Sequence, residues 1–403
     1  MQVTLVGLGC GTQATITAEG RQALTCAALI LGAPRLLEDL PEGCTENRIA
    51  AVRAREIVSH LLSAAAETAC VVFSGDTGFY SGCAPLAALL REAKIPFRIL
   101  PGISSVQLLS ARLGEPWQDW LLCSAHGTAC DAVSAVSQGK RTFFLTGGAV
   151  TPATLCRALT EAGLGDLPVT VGENLSYPNE RIVRATARAC AEARFAPLSV
   201  LLAAPAPRPC APRSGGIADG AFLRGGVPMT KQEVRAAALG KLAVREDDTV
   251  WDVGAGTGSV AVELALSARR GRAYAVECSE EACALIAQNR ARFGAWNLTL
   301  VSGRAPEALA DLPAPDAVFI GGSKGVLDTI VDAALSRNPA VRICISAIAL
   351  ETLSAAVAAL SAHGLDAEVT QISVSRTRGA GELHLLLANN PVFLICAKRG
   401  EDA

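Results

Sequence analysis

The stretch Thr249–Glu277 limits most strongly what this chain can become. It opens with a short apolar strand, Val250-Trp251-Asp252-Val253. A tight turn follows, Gly254-Ala255-Gly256-Thr257-Gly258. A helical run, Ser259 to Ala268, leads to a second strand, Arg272-Ala273-Tyr274-Ala275-Val276, which ends on Glu277. A glycine turn between strand and helix lets a ligand approach the backbone closely. The helix start beyond it presents unpaired N–H groups. An acid closing the next strand can accept hydrogen bonds from a ribose diol. Strand, turn, helix, strand and terminal acid occur in that order, which predicts a nucleoside site in a Rossmann-like α/β domain.

The turn reads G-x-G-x-G and lacks the G-x-G-x-x-G spacing of dinucleotide binders, so the expected nucleoside carries no pyrophosphate. With Asp252 just ahead of it, the turn resembles motif I of class I S-adenosylmethionine methyltransferases. That resemblance implies S-adenosylmethionine as cofactor, held by Gly254, Ala255, Gly256, Thr257, Gly258 and Glu277.

At 403 residues the chain has room for two ordinary domains. Its net charge of −2 gives no bias toward nucleic acid or an anionic membrane, and neither partner is expected. Fourteen cysteines are scattered singly without a C-x-x-C pair, and there are only four histidines, so no metal site is expected. Met1–Gly7 reads as a strand and not as a signal peptide, no apolar run reaches membrane-spanning length, and unpaired thiols suit a reducing cytoplasm.

The first half alternates strand and helix patterns, which predicts a mostly parallel α/β sheet. Strands are expected at Gln2–Val6, Ala28–Gly32, Ala69–Phe73 and Phe97–Leu100. Helices are expected from Thr17 to about Ala28 and over Pro34–Leu40, Ile49–Ser63 and Ala84–Glu92. Glycine-rich loops at 7–11, 75–78 and 101–105 each follow a strand, where ligand crevices form in open α/β sheets.

These loops read Gly7-x-Gly9-Cys10-Gly11, Gly75-Asp76-Thr77-x-x-Tyr80 and Pro101-Gly102-Ile103-Ser104-Ser105. Further on come Ala111-Arg112-Leu113-Gly114-x-Pro116-Trp117, Ser124-x-His126-Gly127, Phe143-Phe144-Leu145-Thr146-Gly147 and Glu173-Asn174-Leu175-x-Tyr177-Pro178-x-Glu180-Arg181. Together they resemble the tetrapyrrole methylase family over residues 1–204, in the branch that methylates carbon 5 of a precorrin ring. The family fold has two α/β subdomains. The resemblance implies a second S-adenosylmethionine site at Gly9, Cys10, Gly75, Asp76, Thr77, Ser104, Ser105 and Thr146. Cys10 and Thr77 stand where the family carries prolines. Asp76 can equally cap its turn, and His126 can be an ordinary turn histidine.

Residues 205–226 are rich in proline and glycine and read as a linker. The second domain, 227–403, opens on Pro228-Met229-Thr230-Lys231-Gln232-Glu233-Val234-Arg235. Thr230 reads as an N-cap with Glu233 three residues on, as in a capping box. Strands are expected at Leu298–Val301, Asp316–Ile320 and Val341–Ile345. This half resembles the precorrin carbon-15 methyltransferase and decarboxylase family through that signature, Gly303-Arg304-Ala305-Pro306-Glu307-Ala308-Leu309, Gly321-Gly322-Ser323-Lys324-Gly325 and Leu350-Glu351-Thr352. The resemblance adds Thr230 and Ala305 to the cofactor residues. Lys324 departs from the family glycine.

The combined resemblance is to the precorrin-6Y C5,15-methyltransferase (decarboxylating) family of corrin synthesis. It implies an enzyme that methylates two meso carbons of a precorrin, removes carbon dioxide from an acetate arm, uses one S-adenosylmethionine per domain and self-associates. Arg376, Arg378, Lys324 and Arg181 are candidates to grip substrate carboxylates, with solvated surface charge as the alternative. Glu351 is a candidate acid, or simply a helix-start carboxylate. A cobalt-containing ring as substrate stays open. An RNA or protein methyltransferase with a fused binding module is the more distant alternative, and the neutral charge and absence of a basic or aromatic stripe speak against it.

Overall fold

The computed structural model describes residues 1–126, 130–207 and 215–397. Gly127 of the Ser-x-His-Gly motif and residues 208–214 of the expected linker lie outside the described residues. The chain divides into two compact units. One comprises residues 1–130, 140–157 and 166–204; the other comprises 131–139, 158–165 and 205–403.

The first unit holds two five-stranded sheets. In the first, β1 (Gln2–Gly7), β2 (Leu29–Gly32), β3 (Arg48–Ala50), β4 (Thr68–Phe73) and β5 (Phe97–Leu100) stand in the order β3-β2-β4-β1-β5, all parallel. Apolar residues run almost without break along β1, β2 and β4 because both sheet faces are covered. Val3, Leu5 and Val71 pack with Leu86 and Leu90 on one face. Val6, Ile30 and Val72 pack with Leu24 and Leu37 on the other. The helix Ala18–Thr25 begins where the Thr17 side chain accepts the Gly20 N–H at 3.1 Å.

The helical periodicity of Ile49–Ser63 misplaces its start. Arg48–Ala50 is a strand paired with β2, and the helix runs only Ala54–Ser63. Three residues at a sheet edge gain ladder hydrogen bonds that local periodicity does not register.

The second sheet contains β6 (Leu121–Ser124), β7 (Thr142–Leu145), β8 (Pro168–Glu173), β9 (Arg181–Thr186) and β10 (Ser199–Ala203), ordered β6-β7-β10-β8-β9. Only the β6–β7 pair is parallel.

The second unit is built on a seven-stranded sheet. Its strands are β11 (Thr249–Val253), β12 (Arg272–Glu277), β13 (Leu298–Ser302), β14 (Ala317–Ile320), β15 (Arg342–Ala347), β16 (Glu368–Ile372) and β19 (Val392–Ala397). Between the last two lies a separate hairpin of β17 (Ser375–Ala380) and β18 (Leu383–Ala388). The sheet order is β13-β12-β11-β14-β15-β19-β16, with β19 antiparallel to both neighbours. Chain order reverses on either side of β11, the place where open α/β sheets bind ligands. Side chains alternate between two cores. Val250 and Phe319 pack with Val262 and Ile286 on one face. Trp251, Val253 and Ile320 pack with Ile330 and Leu360 on the other.

Two sequence expectations differ here. Thr230 is not an N-cap: the helix runs Gln232–Leu242 with Lys231 at its cap and no side-chain cap bond, and Glu233 faces Arg376 instead. The stretch 215–226 is not wholly linker, because Ile217 and Phe222 are buried in the core of the second unit. No described helix is long and apolar enough to cross a membrane.

Candidate functional site

In the second unit a cleft of about 1020 Å³ opens at the carboxyl ends of β11, β12, β14 and β15. Thr230, Gly254, Ala255, Gly256, Thr257, Glu277 and Ala305 all line it. Gly258 instead caps the helix Ser259–Ser267. Gly254, Gly256 and Gly258 all have left-handed φ, at +72°, +55° and +74°. At Gly254 the requirement is also steric: an added Cβ would lie 2.5 Å from the Gly322 carbonyl oxygen. The two glycine turns thus press backbone against backbone at the floor of the cleft.

Glu277 ends β12 beside this turn. Its carboxylate accepts N–H bonds from Gly256 at 2.9 Å, Cys278 at 2.8 Å and Ser279 at 2.9 Å. Burial works to raise its pKa, but these backbone donors outweigh it and hold the group below the usual carboxylate range. The carboxylate is therefore ionised, fixed in place and able to accept from a diol. Glu277→Gln should weaken binding of S-adenosylhomocysteine in the second unit by about ten- to a hundred-fold, roughly the worth of one or two charge-assisted hydrogen bonds. Isothermal titration of the full chain reads this directly.

Asp252 lies at the end of β11, is 2 % exposed and lines the same cleft. Neither carboxylate oxygen meets a partner at good hydrogen-bond geometry among the described residues, the nearby Ala261 amide giving the charge only partial support, and the buried Thr257 hydroxyl is likewise unpartnered. Burial is the main reason the Asp252 pKa is pushed up to about 7. A buried carboxylate without a partner is costly unless a ligand supplies one. A cationic amine on the ligand's tail would do so. The cradle of glycines, the ionised Glu277 and the unpaired Asp252 together fit a nucleoside carrying an amino-acid tail.

The carboxylate-gripping candidates fare unequally. Lys324 lines the cleft with φ +45°, and its Nζ lies 3.3 Å from Cys278 Sγ. Arg376, on β17, forms ion pairs with Glu233 at 2.6 Å and Asp219 at 2.9 Å. Arg378 is exposed on β17. Arg181 is in the first unit and is ion-paired with the buried Glu173. Glu351 is exposed in the first turn of the helix Leu350–Ala362. Sequence reasoning passed over Arg235, Glu263 and Cys278. The first two are fully buried charged residues inside helical patterns, which nothing in the sequence marks as paired.

In the first unit the three glycine loops come from neighbouring strands β4, β1 and β5 and meet. Gly9 and Gly75 exchange backbone bonds at 3.1 and 2.8 Å. A Cβ on Gly102 would lie 2.3 Å from the Gly75 carbonyl oxygen. Asp76 does cap its turn, accepting the Gly78 N–H at 2.8 Å, and it also accepts the Gly102 N–H at 3.1 Å, tying the second loop to the third. The Cys10 thiol donates to the Ile103 carbonyl at 3.3 Å, and burial pushes that thiol up to about 12. The Thr77 hydroxyl donates to the Leu100 carbonyl at 3.5 Å. The two residues that replace prolines thus bond to the third loop and its strand. Ser104 caps the helix Ser105–Leu113, with Ser105 as its first residue and the Gln107 side chain accepting the Ser104 N–H. Thr146 follows β7 in the other sheet, and its hydroxyl donates to the Ser199 carbonyl. His126 is exposed.

Comparison with known proteins places these features. Residues 2–191 match the tetrapyrrole (corrin/porphyrin) methylases, and residues 220–399 match the precorrin methyltransferase domain. A precorrin-6Y C(5,15)-methyltransferase [decarboxylating] of Sinorhizobium is 34% identical over 340 residues, covering 83% of this chain and 81% of that protein. A probable cobalt-precorrin-6B C(15)-methyltransferase (decarboxylating) of Pyrobaculum calidifontis is 48% identical over 185 residues, 45% of this chain and 95% of its own length. A crystal structure of a precorrin-6Y C5,15-methyltransferase from Geobacter metallireducens is 41% identical, covers 47% of this chain and 98% of its own, and superimposes with a TM-score of 0.45. Since the likeness to the Sinorhizobium enzyme extends through both halves, the chain belongs to the family of decarboxylating precorrin-6Y C5,15-methyltransferases.

Proposed function

We propose that this methyltransferase acts on precorrin-6Y, adding methyl groups at C5 and C15 and releasing carbon dioxide from the C12 acetate arm. The observation that carries the reading is the second unit's cleft, where Glu277 and the unpartnered Asp252 flank a glycine turn. Enzymes of this family use S-adenosylmethionine, which supplies an activated methyl group. We assign one per domain. Thr230, Gly254, Ala255, Gly256, Thr257, Gly258, Glu277 and Ala305 would hold one. Gly9, Cys10, Gly75, Asp76, Thr77, Ser104, Ser105 and Thr146 would hold the other. We take 1–204 as the C5-methylating domain, 205–226 as the join and 227–403 as the C15-methylating and decarboxylating domain.

Methyl transfer to an electron-rich carbon depends on in-line placement more than on a strong base, so positioning supplies much of the rate. The chain's part is to fix the ribose at Glu277, the amine at Asp252 and the ring's carboxylate arms at cationic side chains. Lys324 is the better-placed grip, because it lines the cleft and its ammonium lies beside Cys278, another lining residue. The Arg376 guanidinium is already engaged by two carboxylates.

The test is mass spectrometry of products after incubation with precorrin-6Y and S-adenosylmethionine. Two added methyls with loss of one carbon dioxide support the reading. One methyl plus decarboxylation would leave the first domain without its role. No change with precorrin-6Y, and turnover of the cobalt-containing ring instead, would move the substrate to that ring.

We also propose that the chain self-associates, in the cytoplasm. Strand β18 presents Leu383, Leu385, Leu386 and Leu387, each at least 46 % exposed, on a two-stranded hairpin. Leu383, Leu385 and Leu387 share one face of this strand and Leu386 lies on the other; exposed apolar surface of this kind marks association sites. Leu385→Asp should lower the mass measured by analytical ultracentrifugation while leaving cofactor binding in place; an unchanged mass would exclude that face of the hairpin as the contact.

A further inference from the structure

We propose that Arg376 is a positioning residue for cofactor binding: it ties the β17–β18 hairpin to the segment covering the cofactor cleft, through Asp219, which it shares with Arg235, and through Glu233 on the helix that carries Arg235. The proposal rests on the cofactor site assigned above to the second domain.

The covering segment is Gly226–Lys231. Six consecutive residues of it line the cleft. The Pro228 carbonyl oxygen sits 3.1 Å from where a Cβ on Gly256 would stand, so the segment lies directly on the glycine turn. It belongs to no helix or strand, so neither a helical ladder nor a sheet ladder holds it there.

Its anchor is Arg235, which is 0 % exposed. The guanidinium meets Glu263 at 2.8 Å and Asp219 at 2.9 Å, and it donates to the carbonyls of Ile217 and Thr230. The bond to Thr230 fixes the covering segment at the residue assigned to the cofactor. Buried guanidinium groups hold their neighbours well because their donors form a rigid fork.

Arg376 completes this arrangement from the hairpin. Its Nε and Nη2 take both oxygens of Glu233 at 3.1 and 2.6 Å, and its Nη1 lies 2.9 Å from Asp219. Asp219 is thus shared by the two arginines. Glu233 stands in the first turn of the helix that carries Arg235. Three carboxylates face two guanidiniums. Without Arg376, Glu233 would lose its cationic partner and Asp219 would be left to Arg235 alone. Asp219 and Glu233 would then repel, and the Arg235 fork would be pulled off the Thr230 carbonyl. Arg376 is about 40 % exposed, so solvent screens part of the effect and its loss is graded.

The experiment compares the full chain with Arg376→Ala, Arg376→Lys and the double variant Glu233→Gln/Arg376→Ala. S-adenosylhomocysteine titration and steady-state kinetics are the readouts. Arg376→Ala is expected to weaken the second-domain cofactor site about ten-fold, a coupling of ordinary size. The KM for S-adenosylmethionine should rise, with kcat at saturating cofactor nearly unchanged. Arg376→Lys should recover part of the loss, and the double variant should be no worse than Arg376→Ala. Cofactor affinity unchanged in Arg376→Ala would overturn the proposal, and a raised KM for the tetrapyrrole alone would identify Arg376 as a substrate grip. A wild-type chain that binds nothing at the second-domain site would overturn the cofactor assignment, and the proposal with it.

Discussion

Replacing Gly254 by alanine is expected to remove S-adenosylhomocysteine binding from the second unit, taking the proposed two sites per chain to one. The residue adopts φ +72°, which an L side chain rarely takes. The new methyl would also stand 2.5 Å from the Gly322 oxygen and 2.7 Å from the Gly322 nitrogen. Both are backbone atoms that pair with β11 or follow β14, so neither can swing aside as a flexible side chain would. Relief requires the Gly254 turn or the Gly321-Gly322 turn to move, and both line the cleft. Backbone strain of this kind costs about 1–3 kcal/mol, and the displaced turn loses ligand contacts as well. We expect a fall in affinity of at least about a hundred-fold at that site, with methylation at C15 lost and methylation at C5 kept. Calorimetric titration counts the sites. Two sites of unchanged affinity in Gly254→Ala would disprove the assignment of the glycine turn.

The second large effect concerns Asp252 and pH. Burial raises its pKa from 3.8 to about 7 in the folded chain. An aspartate raised in this way binds a proton more tightly folded than unfolded. Its contribution is therefore fully present below pH 3.8 and is lost as pH rises through about 7. Ionisation of the unliganded protein across that window costs on the order of 4 kcal/mol, at 1.36 kcal/mol per pKa unit. Wild-type thermal stability without ligand should fall between pH 5 and pH 8. Asp252→Asn should flatten that slope and be the more stable form at pH 8. The same substitution should weaken S-adenosylhomocysteine binding most at high pH, where the wild-type carboxylate is charged and can pair with the ligand's amine. Differential scanning calorimetry over that pH range, with and without ligand, checks both. A slope in Asp252→Asn equal to that of the wild type would assign the pH dependence to other groups.

The glycine loops were legible because they answer local constraints. Gly254, Gly256 and Gly258 were read as a turn from spacing alone, and each has the left-handed φ that such a turn requires. Glu277 was placed by its position at a strand end, and it lies beside that turn. The core strands were legible for a related reason: continuous apolar runs such as Ala69–Phe73 suit strands buried on both faces. Short edge elements were harder. Arg48–Ala50 is held by pairing with β2, β16 and β19 are held by pairing with each other across the intervening hairpin, and β19 also pairs with β15. Neither kind of pairing leaves a local periodic signal.

The two-part α/β architecture, the glycine loop after each of several strands and the acid that closes β12 beside the glycine turn all follow from the sequence. Each depends on residue type and short-range spacing, which dictate backbone conformation directly. Which charges are already engaged depends on contacts made by the folded chain. Thr230 looked like a helix cap, but its carbonyl is bound by Arg235 while Glu233 pairs with Arg376. Arg376 looked like a free grip for substrate, yet it is held by two carboxylates far from it in sequence. Asp252 reads as a strand residue just ahead of the glycine turn, and burial among the second unit's packed elements is what moves its ionisation to about 7. Partners and burial are set by long-range packing, since a charged side chain binds whatever the fold brings within a few ångströms, whatever the separation along the chain.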